Sequence, residues 1–295
     1  MKSRTSKHTH AAARLLISIF LLGMGRLPVA ADEAKPVDHG LRVFSAGHSF
    51  HTFMPKMLAE LAKSAGIPGH KQAGLSSIGA SYVYQHWNVE DAKNTLKTAL
   101  RAGEVDVLTL SPIYLPDDGI ENFARLGLEH NPDIRITIQE FWLPYDVFDV
   151  NYKKKRPEPV DRNSRTVEQL RAINEPYYKS MDDHAQALNQ KFGKKVVLVV
   201  PAGQASLALR AKIIAGEAPG LKQQNDLFKD AIGHATPPLQ WLTAYCHFAV
   251  IYRRTPVGLP CPPELANAAD GEALNRLLQQ LAWDTVKAHP LSGLR

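Results

Sequence analysis

The sequence predicts an α/β fold: a three-layer α/β/α sandwich built on a mostly parallel sheet. Three observations carry this. Strand-like and helix-like segments alternate from Gly40 onward, the pattern of a parallel sheet covered by helices on both faces. The 295 residues, 44% of them hydrophobic, suffice for one large domain with a substantial core. No internal repeat or low-complexity linker divides the chain.

The elements follow in order. Leu41 to Ser45 is a short apolar strand that runs into Ala46-Gly47-His48-Ser49. A helix should follow, capped by Thr52, with Pro55 in its first turn, Met57, Leu58, Leu61, Ala62 and Ala65 on one face, and Gly66 ending it. Asp91 to Ala102 reads as a second helix stopped at Gly103, with the strand Val105 to Leu110 after it. A helix over Ile120 to Glu129 leads through Asn131-Pro132 to the strand Ile134 to Ile138. Pro144 to Asn163 is irregular and long enough to be a lid or rim insertion. Apolar residues from Val167 to Phe192 recur at helical spacing, predicting a long helix interrupted at Pro176, before the strand Val196 to Val200. Helices over Ser206 to Ile214 and Leu239 to Tyr252 bracket Asp230 to His234, and a helix over Gly271 to His289 closes the chain.

The N-terminus carries a different signal. Lys2, Arg4, Lys7 and Arg14 precede the apolar Leu15 to Met24, and Val29-Ala30-Ala31 supplies small side chains, the order of a secretory signal peptide. The apolar run is about half of what a membrane-spanning helix needs. Residues 1–31 are therefore expected to be a cleaved signal, leaving 32–295 as a single extracytoplasmic domain, periplasmic or secreted, without a stable membrane anchor. Losing Lys2, Arg4, Lys7, Arg14 and Arg26 reduces the formal charge from +6 to +1, so nucleic acid is not an expected partner. Lys153 to Arg156 reads as a solvated loop. Export permits a disulfide between Cys246 and Cys261 without requiring it.

Loops after strands are where a parallel sheet collects ligands, and Ser49 stands in one. The run Val43 to Phe50, with Gly47-His48-Ser49, resembles the first block of the SGNH (GDSL-like) hydrolases, where a Gly-x-Ser after the first strand presents the nucleophile. Asp230-Ala231-Ile232-Gly233-His234 resembles the family's late Asp and His before a C-terminal helix. The chemistry needs that set: a serine hydroxyl is a poor nucleophile until a histidine takes its proton and a carboxylate orients the ring. Gly79 resembles the second-block glycine whose N–H would share an oxyanion hole with that of Ser49. The resemblance thus implies a flavodoxin-like sheet, a Ser49–Asp230–His234 site, no cofactor or metal, and an ester of a small molecule or a glycan as substrate. His48 and Trp87, with Tyr84 and His86 nearby, are expected substrate contacts.

The chain departs from the family pattern in three places. His48 replaces the usual Asp or Asn, and three residues instead of two separate Asp230 from His234. Ser111-Pro112-Ile113-Tyr114 stands where the third block, Gly-x-Asn-Asp, should follow Leu110. Gln139, after the next strand, is the expected substitute for the missing asparagine donor. Two alternatives stand beside the esterase: a metallohydrolase using His48 and His51, and a non-catalytic carbohydrate-binding protein that kept the fold without the third block.

N-terminal sequencing of the exported product is expected to begin at or near Asp32. Recovery of intact Met1 to Arg26 on soluble cytoplasmic protein would overturn the signal reading.

Overall fold

The structure, a computed structural model, describes Met1 and residues 34–151, 158, 161–268 and 270–294. Residues 2–31 of the expected signal peptide and the Lys153 to Arg156 run lie outside the described residues. Chain contacts separate Met1–Asp32 from a compact unit, Glu33–Arg295.

That unit is built in the order β1 (Arg42–Gly47), α1 (Met54–Ser64), β2 (Lys71–Ser77), α2 (Val83–Trp87), α3 (Thr95–Arg101), β3 (Val107–Leu110), α4 (Asp118–His130), β4 (Arg135–Glu140), α5 (Val167–Phe192), β5 (Val197–Pro201), α6 (Ala202–Ile214), α7 (Pro237–Tyr252), α8 (Pro263–Ala266) and α9 (Gly271–Ala288). The five strands pair in parallel in the order β2-β1-β3-β4-β5, a flavodoxin-like order. The chain leaves β1 toward one edge and returns through β3 on its other side, so the topological switch falls between the carboxyl ends of β1 and β3. Ser49 follows the first of these strands and Ser111 the second.

Burial explains which elements were readable. β3 and β5 are wholly buried, and β1 and β4 are buried past their first residue, as strands covered on both faces should be. β2 is an edge strand with the half-exposed sequence KQAGLSS, without the apolar run that marks a central strand, and the sequence gives no warning of it. Its Gly74 is required by packing, because a Cβ there would overlap the Phe44 ring of β1. α7 is buried all round, from Trp241 to Tyr252, and packs against α1, α6 and α9 as a core helix does. On the other side α4 packs against α2 and α3 and is bridged to α5 by the Lys191–Glu121 ion pair.

Several expectations are corrected. α1 starts at Met54 with Phe53 as its N-cap and no side-chain cap. Thr52 instead sits in a turn where its N–H and that of His51 both reach the His48 carbonyl, at 3.1 and 2.8 Å. The stretch Asp91 to Ala102 is two elements, a 3₁₀ turn and α3, because the Asn94 side chain caps the Lys97 N–H at 3.0 Å. α5 runs unbroken through Pro176 and ends at Gly193, whose left-handed φ of 66° suits glycine. The irregular stretch contributes 3₁₀ turns at Pro144–Asp146 and Arg162–Ser164. Cys246 is buried and Cys261 half-buried, and both thiols are free. No described helix is long and apolar enough to cross a membrane.

β4 ends in a fully buried carboxyl group. Glu140 accepts hydrogen bonds from the backbone N–H of Gln204, 2.8 Å, and from its side-chain amide, 2.9 Å. Burial nevertheless dominates and raises Glu140 from 4.5 to about 8. Its folded value exceeds its unfolded one, so the stability it contributes is complete below pH 4.5 and is lost as pH rises toward about 8. Denaturant titrations between these limits should show a downward slope in unfolding free energy that is reduced in Glu140→Gln. Equal slopes in the two proteins would refute a buried, protonated Glu140.

Candidate active site

The serine loop is held from below by one carboxamide. Gln139, fully buried near the end of β4, donates its amide to the Phe50 carbonyl at 2.9 Å. Its carbonyl oxygen accepts from His51 Nδ1 at 2.8 Å and His247 Nε2 at 2.9 Å. Since Gln139 donates to Phe50, its other end is the acceptor, and both imidazoles present N–H to it. His51 Nε2 meets Thr109 Oγ1 at 3.0 Å, which is 2.9 Å from Ser45 Oγ. Burial lowers His51 to about 4 and holds His247 well below the ordinary imidazole value, so both rings are neutral across the physiological range. The loop after β1 is thereby tied to β3, β4 and α7. Gln139 is committed beneath the loop, which corrects the expectation that it donates to an oxyanion.

Above that platform Ser49 is exposed, and its Oγ lies 2.8 Å from His234 Nε2. His234 Nδ1 lies 2.6 Å from Asp230 Oδ2. The other carboxylate oxygen accepts the N–H groups of Gly233, 2.9 Å, and His234, 3.1 Å. Partial burial pushes the Asp230 carboxyl up, but the hydrogen bonds from His234 and Gly233 outweigh it, and the net shift is downward. An ionised Asp230 fixes the proton on Nδ1, which leaves Nε2 free to accept from Ser49. The three residues between Asp230 and His234 are accommodated by Gly233, whose φ of +104° an L side chain rarely adopts.

The imidazole packs edge-on against Phe50, with ring centroids 5.4 Å apart. Phe50 in turn stacks on Trp142 at 5.0 Å and 15°, and Trp142 Nε1 donates to the Gly233 carbonyl at 2.7 Å. Neither aromatic was singled out in the sequence. Trp142 follows β4 by two residues, and position after a strand was the only signal available for it.

The remaining sequence candidates divide. Ile78 N–H reaches the Gly47 carbonyl at 3.2 Å, and the β1–β2 register sets Ser77 beside Gly47. The loop of Gly79 therefore starts alongside that of Ser49, and Gly79 is exposed with open space around its Cα. His48, by contrast, is 3% exposed: Nδ1 accepts the Phe50 N–H at 3.3 Å and Nε2 faces Ser111 Oγ at 3.2 Å. The structure places it as a brace inside the loop and corrects its reading as a substrate contact. Two departures from the family pattern, His48 and Ser111, thus touch each other. Trp87 is half-buried, packing on Phe123 at 5.1 Å and under the Lys97 ammonium at 4.2 Å. His86 is buried between Ser76 Oγ, 2.7 Å, and Ser81 Oγ, 2.8 Å, and burial lowers it to about 4. Both ring nitrogens of His51 and of His48 are engaged in this way, so the metal alternative loses its ligand pair. A cavity of about 1000 Å³ lined by Lys35, Arg253, Arg254, Trp283 and Leu294 contains no residue of the serine site.

No protein-family model matches the chain, and no curated protein does. Among solved structures, a DUF4886 family protein from Bacteroides uniformis is 15% identical, covering 88% of this chain and 100% of its own, with a TM-score of 0.51. That likeness shows a shared fold. A protein described as a GDSL-like lipase from Parabacteroides merdae is 14% identical over 71% of this chain and 94% of its own, with a TM-score of 0.40. The periplasmic domain of a lipopolysaccharide acetyltransferase from Salmonella Paratyphi A is 13% identical over 57% and 68%, with a TM-score of 0.34.

Replacing Gln139 by leucine strands the Phe50 carbonyl and two buried imidazole N–H groups. At about 1–3 kcal/mol for each unsatisfied group, the variant should lose roughly 3 kcal/mol or more in denaturant unfolding. A loss below about 0.5 kcal/mol would refute the account of Gln139 as the hub of the loop.

Proposed function

We propose that the chain is a serine ester hydrolase acting outside the cytoplasm, with an ester of a small molecule or acylated carbohydrate as its substrate. The observation that carries this reading is the continuous relay of Ser49 Oγ, His234 and Asp230 at 2.8 and 2.6 Å. An exposed serine hydroxyl aimed at an imidazole whose other nitrogen meets a carboxylate is the arrangement acyl transfer requires.

In the first half-reaction Ser49 Oγ attacks the ester carbonyl carbon while its proton passes to His234 Nε2. Asp230 stabilises the imidazolium and stays ionised. The carbonyl oxygen becomes an oxyanion facing the N–H groups of Ser49 and, from the neighbouring loop, Gly79. Collapse breaks the bond to the alkoxy oxygen, which takes the proton from His234 and leaves as the alcohol. Water repeats the sequence on the acyl-serine, giving the carboxylic acid and free Ser49. With Gln139 occupied and Ser111 turned toward His48, neither supplies a side-chain donor to the oxyanion. One absent donor corresponds to roughly 3–4 kcal/mol of barrier, so turnover should be slow compared with a site that has one.

Ser49→Ala and His234→Ala should each lower hydrolysis across a panel of acetyl and longer acyl esters by about 10³-fold or more, with Asp230→Asn costing as much or less. Ser49 lies at the surface, so its variant should keep native thermal stability. A fluorophosphonate should label native protein at Ser49. Undiminished hydrolysis in Ser49→Ala refutes the serine mechanism. Glycan binding that survives Ser49→Ala, with no ester turnover by native protein, would establish the binding-protein alternative.

A further inference from the structure

Within the loop that carries Asp230 and His234, Gly233 N–H reaches the Asp230 carbonyl at 3.2 Å and Lys229 N–H the His234 carbonyl at 2.8 Å, beside the contacts of the Asp230 carboxylate with Gly233 and His234. The loop's outward carbonyls are met by a different part of the chain. Arg162 Nη1 donates to the carbonyl of Asp230 at 3.2 Å and Nη2 to that of Ala231 at 2.6 Å. Tyr145 N–H donates to Ile232 at 3.1 Å and Trp142 Nε1 to Gly233 at 2.7 Å. Four successive carbonyls thus each take a donor from the segment between β4 and α5. We propose that Arg162 is a positioning residue for the His234 base, and that Arg162, Tyr145 and Trp142 together set the register of the catalytic loop. The inference rests on the serine mechanism proposed above.

Arg162 is placed to do this by partners that leave it little freedom. It is 4% exposed, and its guanidinium lies over the Phe228 ring at 4.3 Å. Its Nε is 3.6 Å from Asp146 Oδ1. Asp146 is itself gripped by both Nη groups of Arg210 from α6, at 2.8 and 2.7 Å, the bidentate geometry that fixes orientation as well as charge. Tyr145 and Asp146 carry left-handed φ values of 56° and 53°. Such a pair of non-glycine residues persists only where surrounding contacts over-determine the backbone. Arg162 also confines Gly233 directly, since a Cβ there would come within 3.1 Å of Nη2. The guanidinium fork spans two adjacent carbonyls, which one ammonium cannot do with the same geometry.

The consequence is a separation of binding from chemistry. Arg162 touches loop carbonyls, Asp146 and the Phe228 ring, while the serine loop is held by a separate contact, from Gln139 to the Phe50 carbonyl. Without the fork the loop can drift, and a displacement of about 1 Å between base and nucleophile is enough for a roughly 100-fold loss in rate.

The test uses the full mature protein with Arg162→Ala and Arg162→Lys. Fluorophosphonate labelling of Ser49 reports the activated hydroxyl without requiring the natural substrate, and kcat and KM are read on an acetyl ester. In Arg162→Ala both labelling rate and kcat should fall by about 10–100-fold with KM within about twofold. The pH profile of labelling should also change. Arg162→Lys should recover part of the loss. Native labelling rate, kcat and pH profile in Arg162→Ala overturn the proposal. If the alanine variant does not fold, the lysine variant decides: a native kcat there overturns the role of the fork, and a lowered kcat with unchanged KM supports it. Failure of the serine mechanism has a separate signature, hydrolysis and labelling undiminished in Ser49→Ala.

Discussion

The hydrogen bond between Ser49 and His234 joins residues 185 positions apart, and the architecture around it serves to keep that one distance. Ser49 is brought to the carboxyl edge by a central strand and His234 by a loop ahead of α7. Neither loop is regular, and each is fixed by contacts from elsewhere in the fold as well as by its own. The serine loop is fixed from within the core, by Gln139 joining Phe50, His51 and His247. The histidine loop is fixed from outside it, by donors on Trp142, Tyr145 and Arg162. Phe50 and Trp142, stacked on each other, link the two supports under the imidazole.

These supports differ in kind. The lower one is neutral: two histidines that burial keeps uncharged and a carboxamide with both ends occupied. Neutral groups with matched hydrogen bonds avoid the desolvation cost of buried ions. The upper one contains buried ions, with Asp146 between Arg162 and Arg210. Charge is tolerable there because Arg210 is paired bidentately with Asp146 and Arg162 is also hydrogen-bonded to carbonyl oxygens. His48 and Ser111 face each other at 3.2 Å, so a pair that looks like two separate losses in the sequence is one brace in three dimensions.

How much was legible depends on how local the cause is. The parallel sheet, its central strands and the helices α4 to α7 and α9 follow from runs of apolar residues and their spacing, which act over a turn or a strand. β2 escaped because an edge strand need not be apolar. Thr52 was misread because a loop hydrogen bond to His48 competes with capping. Gln139 and His48 were recognised as sited at the carboxyl edge, but a residue's position after a strand does not say whether its side chain turns up to solvent or down into the core.

The sequence by itself determined the fold class, because strand and helix periodicity are written in local stretches, and its resemblance to the SGNH hydrolases pointed to the three residues of the candidate relay. Only the tertiary structure decided which groups meet. The 2.8 Å contact between Ser49 and His234, the hub at Gln139 and the clamp at Arg162 are long-range. Such contacts depend on strand order and on burial, which set the direction of every side chain at the sheet edge. Neither quantity is carried by any one stretch of chain.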